Sequence, residues 1–240
     1  TWGDKEDRYG IGINLWSGRA LLSAAGMKLT TEVNDGIPTF DFLSTANYDV
    51  FMMIYNLFQN GLNDGSVYWG GRSGKYDSDM SCKQLFVEGQ IMFETNTLSF
   101  SKTVSQNLDS YGVLPLPKAA AGTDTDYISY IMGLQKYGIS RYSLKQEIAA
   151  LVLEVFGVYG YEKVKPIYLE KTLKISQQSN PNSAKMIDLI LDTIYMDFIF
   201  LNGSSFSVVD PFDILIEVGN PNYISTMRPI SDMMPEMLQK

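Results

Sequence analysis

Histidine is absent from this chain of 240 residues, and cysteine occurs once, at Cys82. Without histidine the chain has no Ser-His-Asp or Cys-His catalytic group and no histidine-ligated zinc. A single cysteine forms no disulfide within the chain and no cysteine-ligated zinc cluster. These scarcities exclude the commonest hydrolase and zinc chemistries, and we expect neither a metal nor a cofactor.

Basic residues and long apolar runs are also scarce. The chain has 19 basic residues against 27 acidic ones, a formal charge of −8, and no basic cluster, so we expect no nucleic-acid partner. No apolar run approaches the roughly 18 to 20 residues that span a bilayer, which predicts a soluble chain. Thr1–Asp4 has neither the basic start nor the apolar stretch of a signal segment, so we expect the chain to begin within a longer protein.

What is present is an alternation of strand and helix patterns, which predicts an α/β fold with a mixed sheet and packed helices. The first patterns along the chain are a strand at Tyr9–Trp16, a helix at Ser17–Ala25 ended by Gly26, and a hairpin of Met27–Val33 with Ile37–Phe42.

A longer helix follows, with Ser44 as its N-cap and Gly61 as its end. Its apolar stripe consists of Tyr48, Phe51, Met52, Tyr55 and Phe58. The composition of Leu62–Tyr76 then predicts a loop, and we expect at least one of its Tyr68 and Trp69 rings to be exposed.

The most informative segment is Leu85–Lys118. It predicts a helix end, a break at Gly89 and a strand through Phe93 that leads into polar residues where a ligand site at a sheet edge would lie. A second strand is predicted at Tyr111–Leu116, with Pro115 and Pro117 limiting its pairing.

Three helices are predicted in the second half of the chain. The first starts at a capping box of Ser143 and Gln146 and ends near Gly157–Gly160. The second starts at Pro166, and the third is capped by Ser183.

In this order, the motifs resemble extracellular solute-binding protein family 1, the carbohydrate-binding proteins of ABC importers, particularly those of Gram-positive bacteria. The matching stretches are DRYGIGINLW, LLSAAGMKL, NDGIPTF, LFVEGQIMF, YGVLPLPK, EIAALVLEVFGVYGYEKVKPIYLEKTLK and SAKMIDLILDTIYMDF. The resemblance implies a type II periplasmic-binding-protein-like C-terminal lobe, a mixed sheet flanked by helices, with most of the N-terminal lobe missing. On this basis 1–130 and 165–240 form the second lobe, and 131–164 is a hinge crossing and helix that belong to the first.

The resemblance also implies a function. Such a protein is not an enzyme: it captures a carbohydrate, here an oligosaccharide by expectation, when its two lobes close, and it delivers the sugar to the membrane subunits of an ABC permease. It is displayed outside the cell as a lipoprotein, through an anchor segment that this chain does not contain.

Sugar sites combine exposed aromatic rings with planar polar side chains. The candidates are Trp16, Ser17 and Arg19 after the first strand, Asn96, Thr97 and Phe100 after the Gly89 strand, Trp69 in the predicted loop, and Tyr195 near Asp197. All of them except Ser17 have a structural alternative: Trp16, Trp69 and Phe100 as packed rings, Arg19 as a solvated helix residue, Asn96 or Thr97 as a helix cap, and Tyr195 as a packing residue at a helix end.

Two other functions stay open from the residues alone. A glycoside hydrolase with two carboxylates needs no histidine, and it could use two of Glu88, Glu94, Asp197 and Asp210. A protein-interaction domain built on the same fold would expose an apolar patch, which the sequence does not distinguish from the surface left by a missing lobe.

Overall fold

The computed structural model of the protein divides into two compact units. Unit 1 comprises Thr1–Thr97, Pro115–Met132 and Leu189–Lys240, and unit 2 comprises Leu98–Leu114 and Gly133–Asp188. Within these bounds the structure describes residues 6–14, 17–34, 36–69, 78–119, 126–131, 137–170, 181–199, 202, 215–216 and 219–237.

Unit 1 contains a parallel sheet of three strands in which β1 (Tyr9–Ile13) lies between β4 (Val67–Trp69) and β5 (Ile91–Thr95). Ile13 pairs with Trp69 on one side and with Thr95 on the other, so the three strands end side by side. Gly12 allows the close approach of β5, because a Cβ atom there would stand 2.6 Å from Ile91 Cδ1. The sheet edge at the ends of these strands is the place where parallel α/β sheets bind ligands.

Helices cover both faces of this sheet. On one face, Val67 and Trp69 join the main apolar core with Phe58 of helix α2 (Thr45–Asp64). On the other, Tyr68 packs with Cys82 and Leu85 of helix α3 (Ser78–Val87). The alternating directions of the β4 side chains follow the two-residue period of a strand buried on both sides. The predicted α/β class is therefore confirmed.

Most of the predictions for the segment between β1 and β4 are confirmed. Helix α1 (Ser17–Ala24) ends at Gly26, whose φ of 101° is accessible to glycine without strain. Strands β2 (Thr30–Asn34) and β3 (Ile37–Phe40) form the expected antiparallel hairpin. Ser44 caps α2, since its side chain accepts a hydrogen bond from the Asn47 backbone N–H.

The prediction that Gly61 ends helix α2 is wrong. The helix continues to Asp64 and ends at Gly65, which has a φ of 80°. Gly61 is instead a packing position, because a Cβ atom there would stand 2.2 Å from Val67 Cγ2. The prediction of a loop over Leu62–Tyr76 is also wrong as far as the structure describes it, because 62–69 contain the end of α2 and the buried strand β4. Residues 70–77 lie outside the described residues.

The far end of the chain completes the unit 1 core through the last described helix, α8 (Tyr223–Met237). Its Tyr223, Met227 and Met234 side chains are buried in the cluster that also contains Phe51 of α2. The Tyr223 hydroxyl donates a hydrogen bond of 2.8 Å to the carbonyl oxygen of Phe42. Burial raises the pKa of Tyr223 well above its ordinary value, and the negative charge of Asp41 adds to this effect.

Tyr223 should make unit 1 lose stability at alkaline pH. Below about pH 10 the contribution of Tyr223 to stability does not change with pH, because the phenol is then neutral in both the folded and the unfolded chain. Above that pH the unfolded chain releases the proton and the folded one retains it, so the free energy of unfolding falls by about 1.4 kcal/mol per pH unit. Urea titrations at a series of pH values should show a smaller alkaline loss for Tyr223→Phe than for the wild type. Parallel curves would contradict this assignment.

Unit 2 is mainly helical. A 3-10 turn (Leu98–Phe100) leads into helix α4 (Ser101–Val104), and a long helical run consists of α5 (Gln146–Tyr159), a π-helical segment (Gly160–Val164) and α6 (Lys165–Ile167). Helix α7 (Pro181–Asp192) crosses from unit 2 into unit 1. The remaining described strands, β6 (Ser129–Tyr130) and β7 (Ile194–Tyr195), pair in parallel within unit 1.

Several predictions for unit 2 and its neighbouring segment are wrong. Tyr111–Leu116 is irregular and not a strand. Helix α5 does end at Tyr159, within the predicted Gly157–Gly160, but the chain stays helical beyond it, because Gly160 keeps the dihedral angles φ −58° and ψ −45° and a π-helical segment continues to α6. Gln146 does not form a capping box, since its side chain donates to the carbonyl oxygens of Ser140 and Arg141.

Ser183 is also not a helix cap. Helix α7 begins at Pro181, the first-turn position that suits proline. Ser183 lies inside the helix and is buried, and its hydroxyl oxygen accepts a hydrogen bond of 3.0 Å from the Val113 backbone N–H. The serine therefore fixes the irregular segment before Leu114 onto the helix of the same unit.

The long helical run of unit 2 is apolar and exposed. No residue of α5 is buried, and Leu144 just before it is fully exposed at 101%. The exposed apolar side chains of this run are Ile148, Leu151, Val152, Val155, Phe156, Val158, Tyr159, Tyr161, Val164, Ile167 and Tyr168. Soluble proteins seldom leave an apolar surface of this length exposed.

The bounds of the two units differ from those of the predicted domains. The predicted first-lobe segment, 131–164, falls almost wholly within unit 2, but unit 2 also takes in Leu98–Leu114 and continues to Asp188. The assignment of these parts to two lobes of a binding protein stays a prediction.

Candidate functional site

The candidate site lies at the edge of the parallel sheet where β1 and β5 end. Each strand passes there from apolar to polar residues: Ile13 is followed by Asn14, and Thr95 is followed by Asn96 and Thr97. Because Ile13 pairs with Thr95, these polar residues come from adjacent strand ends. The geometry therefore gathers side chains that are 81 positions apart in the sequence.

Three buried polar residues at this edge form a closed set of hydrogen bonds through their side chains and the backbone carbonyl of Thr95, and we call this set the strand-end ring. Asn14 Nδ2 donates to the carbonyl oxygen of Thr95 at 2.8 Å, and Ser17 Oγ donates to Asn14 Oδ1 at 2.8 Å. The Thr95 hydroxyl lies in hydrogen-bond contact with Ser17 Oγ and stands 3.3 Å from the carbonyl oxygen of Gly12. Because Ser17 Oγ donates its proton to Asn14 Oδ1, the Thr95 hydroxyl is the donor in its bond with Ser17 Oγ. Each of the three residues therefore donates one hydrogen bond of the ring and accepts another.

The residues directly after the ring are exposed. Asn96 Nδ2 donates to Glu94 Oε1 at 2.9 Å, and Asn96 Oδ1 accepts from the Thr97 backbone N–H at 2.8 Å. The Asn96 side chain thus bonds to the backbone of the next residue, and we call this two-residue segment the Asn96–Thr97 turn. The turn presents amide and hydroxyl groups at the sheet edge, the chemistry that recognises sugar hydroxyls.

The other predicted site residues are distributed differently. Arg19 is half-buried on α1, two residues after Ser17. Phe100 is half-buried in the 3-10 turn of unit 2, and it does not share a unit with Asn96. Trp16 lies outside the described residues. Of the predicted site residues, Ser17 contacts Thr95, the residue directly before Asn96 and Thr97.

Trp69 corrects the prediction of an exposed ring. Tyr68 and Trp69 are 1% and 4% exposed, so neither is available on the surface as expected for a loop. The Trp69 ring packs edge-on against Phe58, with the ring centres 5.1 Å apart. A ring held in this way has no open face on which to stack a sugar, and Trp69 is a core residue.

Tyr195 lies apart in the chain beside a buried carboxylate, Asp197. The Tyr195 hydroxyl donates to Asp197 Oδ2 at 3.5 Å, and Lys28 Nζ lies 5.8 Å from the centre of its ring. Burial raises the pKa of Tyr195, and the charge of Asp197 and this hydrogen bond raise it further.

Asp197 is a structural carboxylate. Its Oδ2 accepts hydrogen bonds of 2.9 Å from the backbone N–H groups of Leu29 and Thr30. Its Oδ1 accepts from the Thr30 hydroxyl at 2.8 Å and from the Ile199 backbone N–H at 2.9 Å. With 1% exposure and this many donors, the carboxylate joins the start of the hairpin to the last third of the chain.

Sequence reasoning missed Asn14 and Thr95, the two residues that close the strand-end ring with Ser17. A signal was present, because Asn14 directly follows β1, Thr95 is the last residue of β5, and both are polar. Periodicity assigns such residues to a strand end, but it does not show that two of them meet. Their pairing follows from the parallel register of β1 and β5.

Two further findings concern the described part of the chain. No group of three or more Cys, Asp or Glu side chains there is arranged to hold a metal ion. None of the helices found in the described ranges is both long enough and apolar enough to cross a membrane.

Comparisons with known proteins add no identification. No protein-family model matches the chain, and no curated protein sequence matches it either.

Proposed function

We propose that this chain is the second lobe of an extracellular, non-catalytic solute-binding protein of type II architecture. Its ligand is a carbohydrate, in particular an oligosaccharide, and its downstream partner is the permease of an ABC importer. The proposal includes display of the whole protein at the cell surface through a lipid anchor. The observation that carries it is the polar edge of the parallel sheet, where Ser17 bonds to Thr95 and the exposed Asn96 and Thr97 directly follow Thr95.

The chemistry of this edge supports a sugar ligand. Asn96 and Thr97 are exposed and supply amide and hydroxyl groups, which both donate and accept hydrogen bonds as sugar hydroxyls do. The edge lies at the carboxyl ends of parallel strands, with β4 and β5 on opposite sides of β1, the position at which open α/β sheets bind small molecules.

The bare apolar run in unit 2 supports a protein with a further lobe. In the resemblance, the corresponding segment crosses to the first lobe and packs there. Exposed side chains such as Ile148, Val155 and Phe156 would then be covered by that lobe. Capture follows from closure: the ligand binds one lobe, the other lobe closes over it, and the closed form is the one that the permease recognises.

Titration with sugars followed by amide NMR tests the proposal. With a panel of α- and β-linked oligosaccharides, we expect the Asn96 and Thr97 signals to shift and to saturate only at millimolar sugar, because one lobe supplies half of the contacts. Asn96→Ala should weaken the affinity about tenfold, the equivalent of one lost hydrogen bond of roughly 1.4 kcal/mol. Asn60→Ala, a change of an exposed asparagine on α2, is the matched control and should bind as the wild type does.

Two results would contradict the proposal in different ways. If no sugar of the panel shifts any signal at the sheet edge, the carbohydrate ligand is wrong. If calorimetry gives nanomolar affinity for the 240 residues alone, the site is complete in this chain and the assignment to one lobe is wrong.

A protein-interaction domain is the second candidate, and the helical run favours it. Leu144, Ile148, Leu151, Val155 and Val158 recur at spacings of four and three, the pattern of a seam that packs against another helix. In this candidate the occupant is a helix of a separate protein partner. A partner whose binding is lost in Ile148→Lys, in a chain that binds no sugar, would favour it over carbohydrate capture.

A further inference from the structure

We propose that the strand-end ring of Asn14, Ser17 and Thr95 is a positioning device that holds the Asn96–Thr97 turn rigid for its ligand. The ligand part of this inference rests on the proposed function. The mechanical part does not, because it concerns the ring and the turn alone.

The ring joins three separate elements at one point. Asn14 follows strand β1, Ser17 is the first residue of helix α1, and Thr95 is the last residue of β5. All three side chains are at least nine-tenths buried, with exposures of 7%, 4% and 8%. Buried hydrogen bonds between side chains fix geometry well, because breaking one leaves a polar group without a partner in a medium of low dielectric constant.

The ring reaches the turn through Thr95. Its carbonyl oxygen accepts from Asn14 and its hydroxyl contacts Ser17, so both its backbone and its side chain are held. Asn96 is the next residue, and outside the ring its described contacts include the bonds to Glu94 and Thr97. Because Thr95 is held in this way, the backbone of Asn96 leaves the sheet in a fixed direction although its side chain is exposed. A fixed geometry before the ligand arrives is the requirement for a preorganised binding site.

Thr95→Val and Thr95→Ser test this role. Valine has nearly the shape of threonine but no hydroxyl, and serine retains the hydroxyl. In the protein without ligand, we expect the backbone order parameters of Asn96 and Thr97 to fall in Thr95→Val from the rigid value of about 0.85 toward about 0.6. Thr95→Ser should keep the wild-type values, and so should Thr39→Val, the same change at an exposed position of β3.

Sugar affinity is the second measurement. Thr95→Val should weaken the binding of an oligosaccharide that the wild type binds by about fivefold, while Thr95→Ser stays within about twofold, since a looser turn loses more freedom on binding. If the wild type binds no sugar, the proposed function fails and the order parameters alone decide the ring's role. If Thr95→Val leaves the order parameters unchanged, or lowers them equally at Phe58 in the core of α2, the positioning role is overturned. Should Thr95→Val not fold, Ser17→Ala is judged by the same order parameters.

Discussion

Replacing Asp197 by alanine should lower the free energy of unfolding of unit 1 by about 3 to 5 kcal/mol. The change removes the acceptor of three backbone N–H groups and two hydroxyls, and each buried donor left without a partner costs about 1 to 3 kcal/mol. The backbone donors belong to Leu29, Thr30 and Ile199, so the start of the hairpin and the segment after β7 lose their connection together. The hydroxyls are those of Thr30 and Tyr195. Urea unfolding followed by tryptophan fluorescence measures the loss.

Tryptophan fluorescence suits this experiment because Trp69 is buried in the core of unit 1. Asp197→Asn should be milder than alanine but still costly, since one amide oxygen replaces two carboxylate oxygens and the amide N–H₂ faces backbone donors. Asp192→Ala is the control: this acidic side chain at the end of α7 is exposed, and its loss should change the free energy of unfolding by less than about 0.5 kcal/mol. A cost below about 1 kcal/mol for Asp197→Ala would contradict the structural role of this carboxylate.

Replacement of two phenylalanines by alanine should change the free energy of unfolding by very different amounts. Phe58→Ala should destabilise unit 1 by about 3 to 5 kcal/mol, because its ring is fully buried against Trp69. Phe156→Ala should change stability by less than about 0.5 kcal/mol, because its ring is 68% exposed on a helix in which alanine is the better helix former. Urea unfolding followed by far-ultraviolet circular dichroism reports on both.

The second half of that comparison tests the bare surface. If Phe156→Ala costs more than about 2 kcal/mol, the ring is covered in solution. Repeating the measurement at several protein concentrations then shows whether another copy of the chain covers it, since stability that depends on association depends on concentration.

The fold was predictable from sequence where local signals act alone. The Ser44 cap, the hairpin about Gly36 and the break at Gly89 follow from capping and turn chemistry within a few residues. Gly36 and Gly89 both adopt the positive φ that these signals require, 81° and 73°. In these segments the physical cause is short-range, so a single sequence contains it.

Predictions failed where a distant contact decided the outcome. Gly61 lies inside helix α2 and Gly65 directly follows it, but only Gly65 has the positive φ that ends a helix, and Gly61 is needed for the close approach of Val67. Strand β4 has three residues and no alternation that a pattern search can detect, and its burial depends on two helices that pack from opposite faces. Ser183 resembles a cap but bonds to Val113, which is 70 residues away.

The candidate site was predictable only in part for the same reason. Ser17, Asn96 and Thr97 follow strand ends, and this local signal brought them into the prediction. The ring that connects them depends on the parallel register of β1 with β5, which no local pattern specifies. Trp69 was misassigned because glycines near a tryptophan indicate a loop unless the partner ring, here Phe58, is known.

The discontinuous build of unit 1 has a consequence for how the chain folds as it is made. Leu29 and Thr30 find their acceptor in Asp197, which is synthesised 168 and 167 residues later. At roughly 5 to 20 residues per second, ribosomal synthesis separates the two events by about 10 to 30 s. Throughout that interval the nascent hairpin has unpaired donors, and the core of α2 lacks Tyr223 and Met227. The hairpin and helix α2 are therefore expected to depend on chaperones during synthesis and to become resistant to protease only after Asp197, Tyr223 and Met227 have left the ribosome.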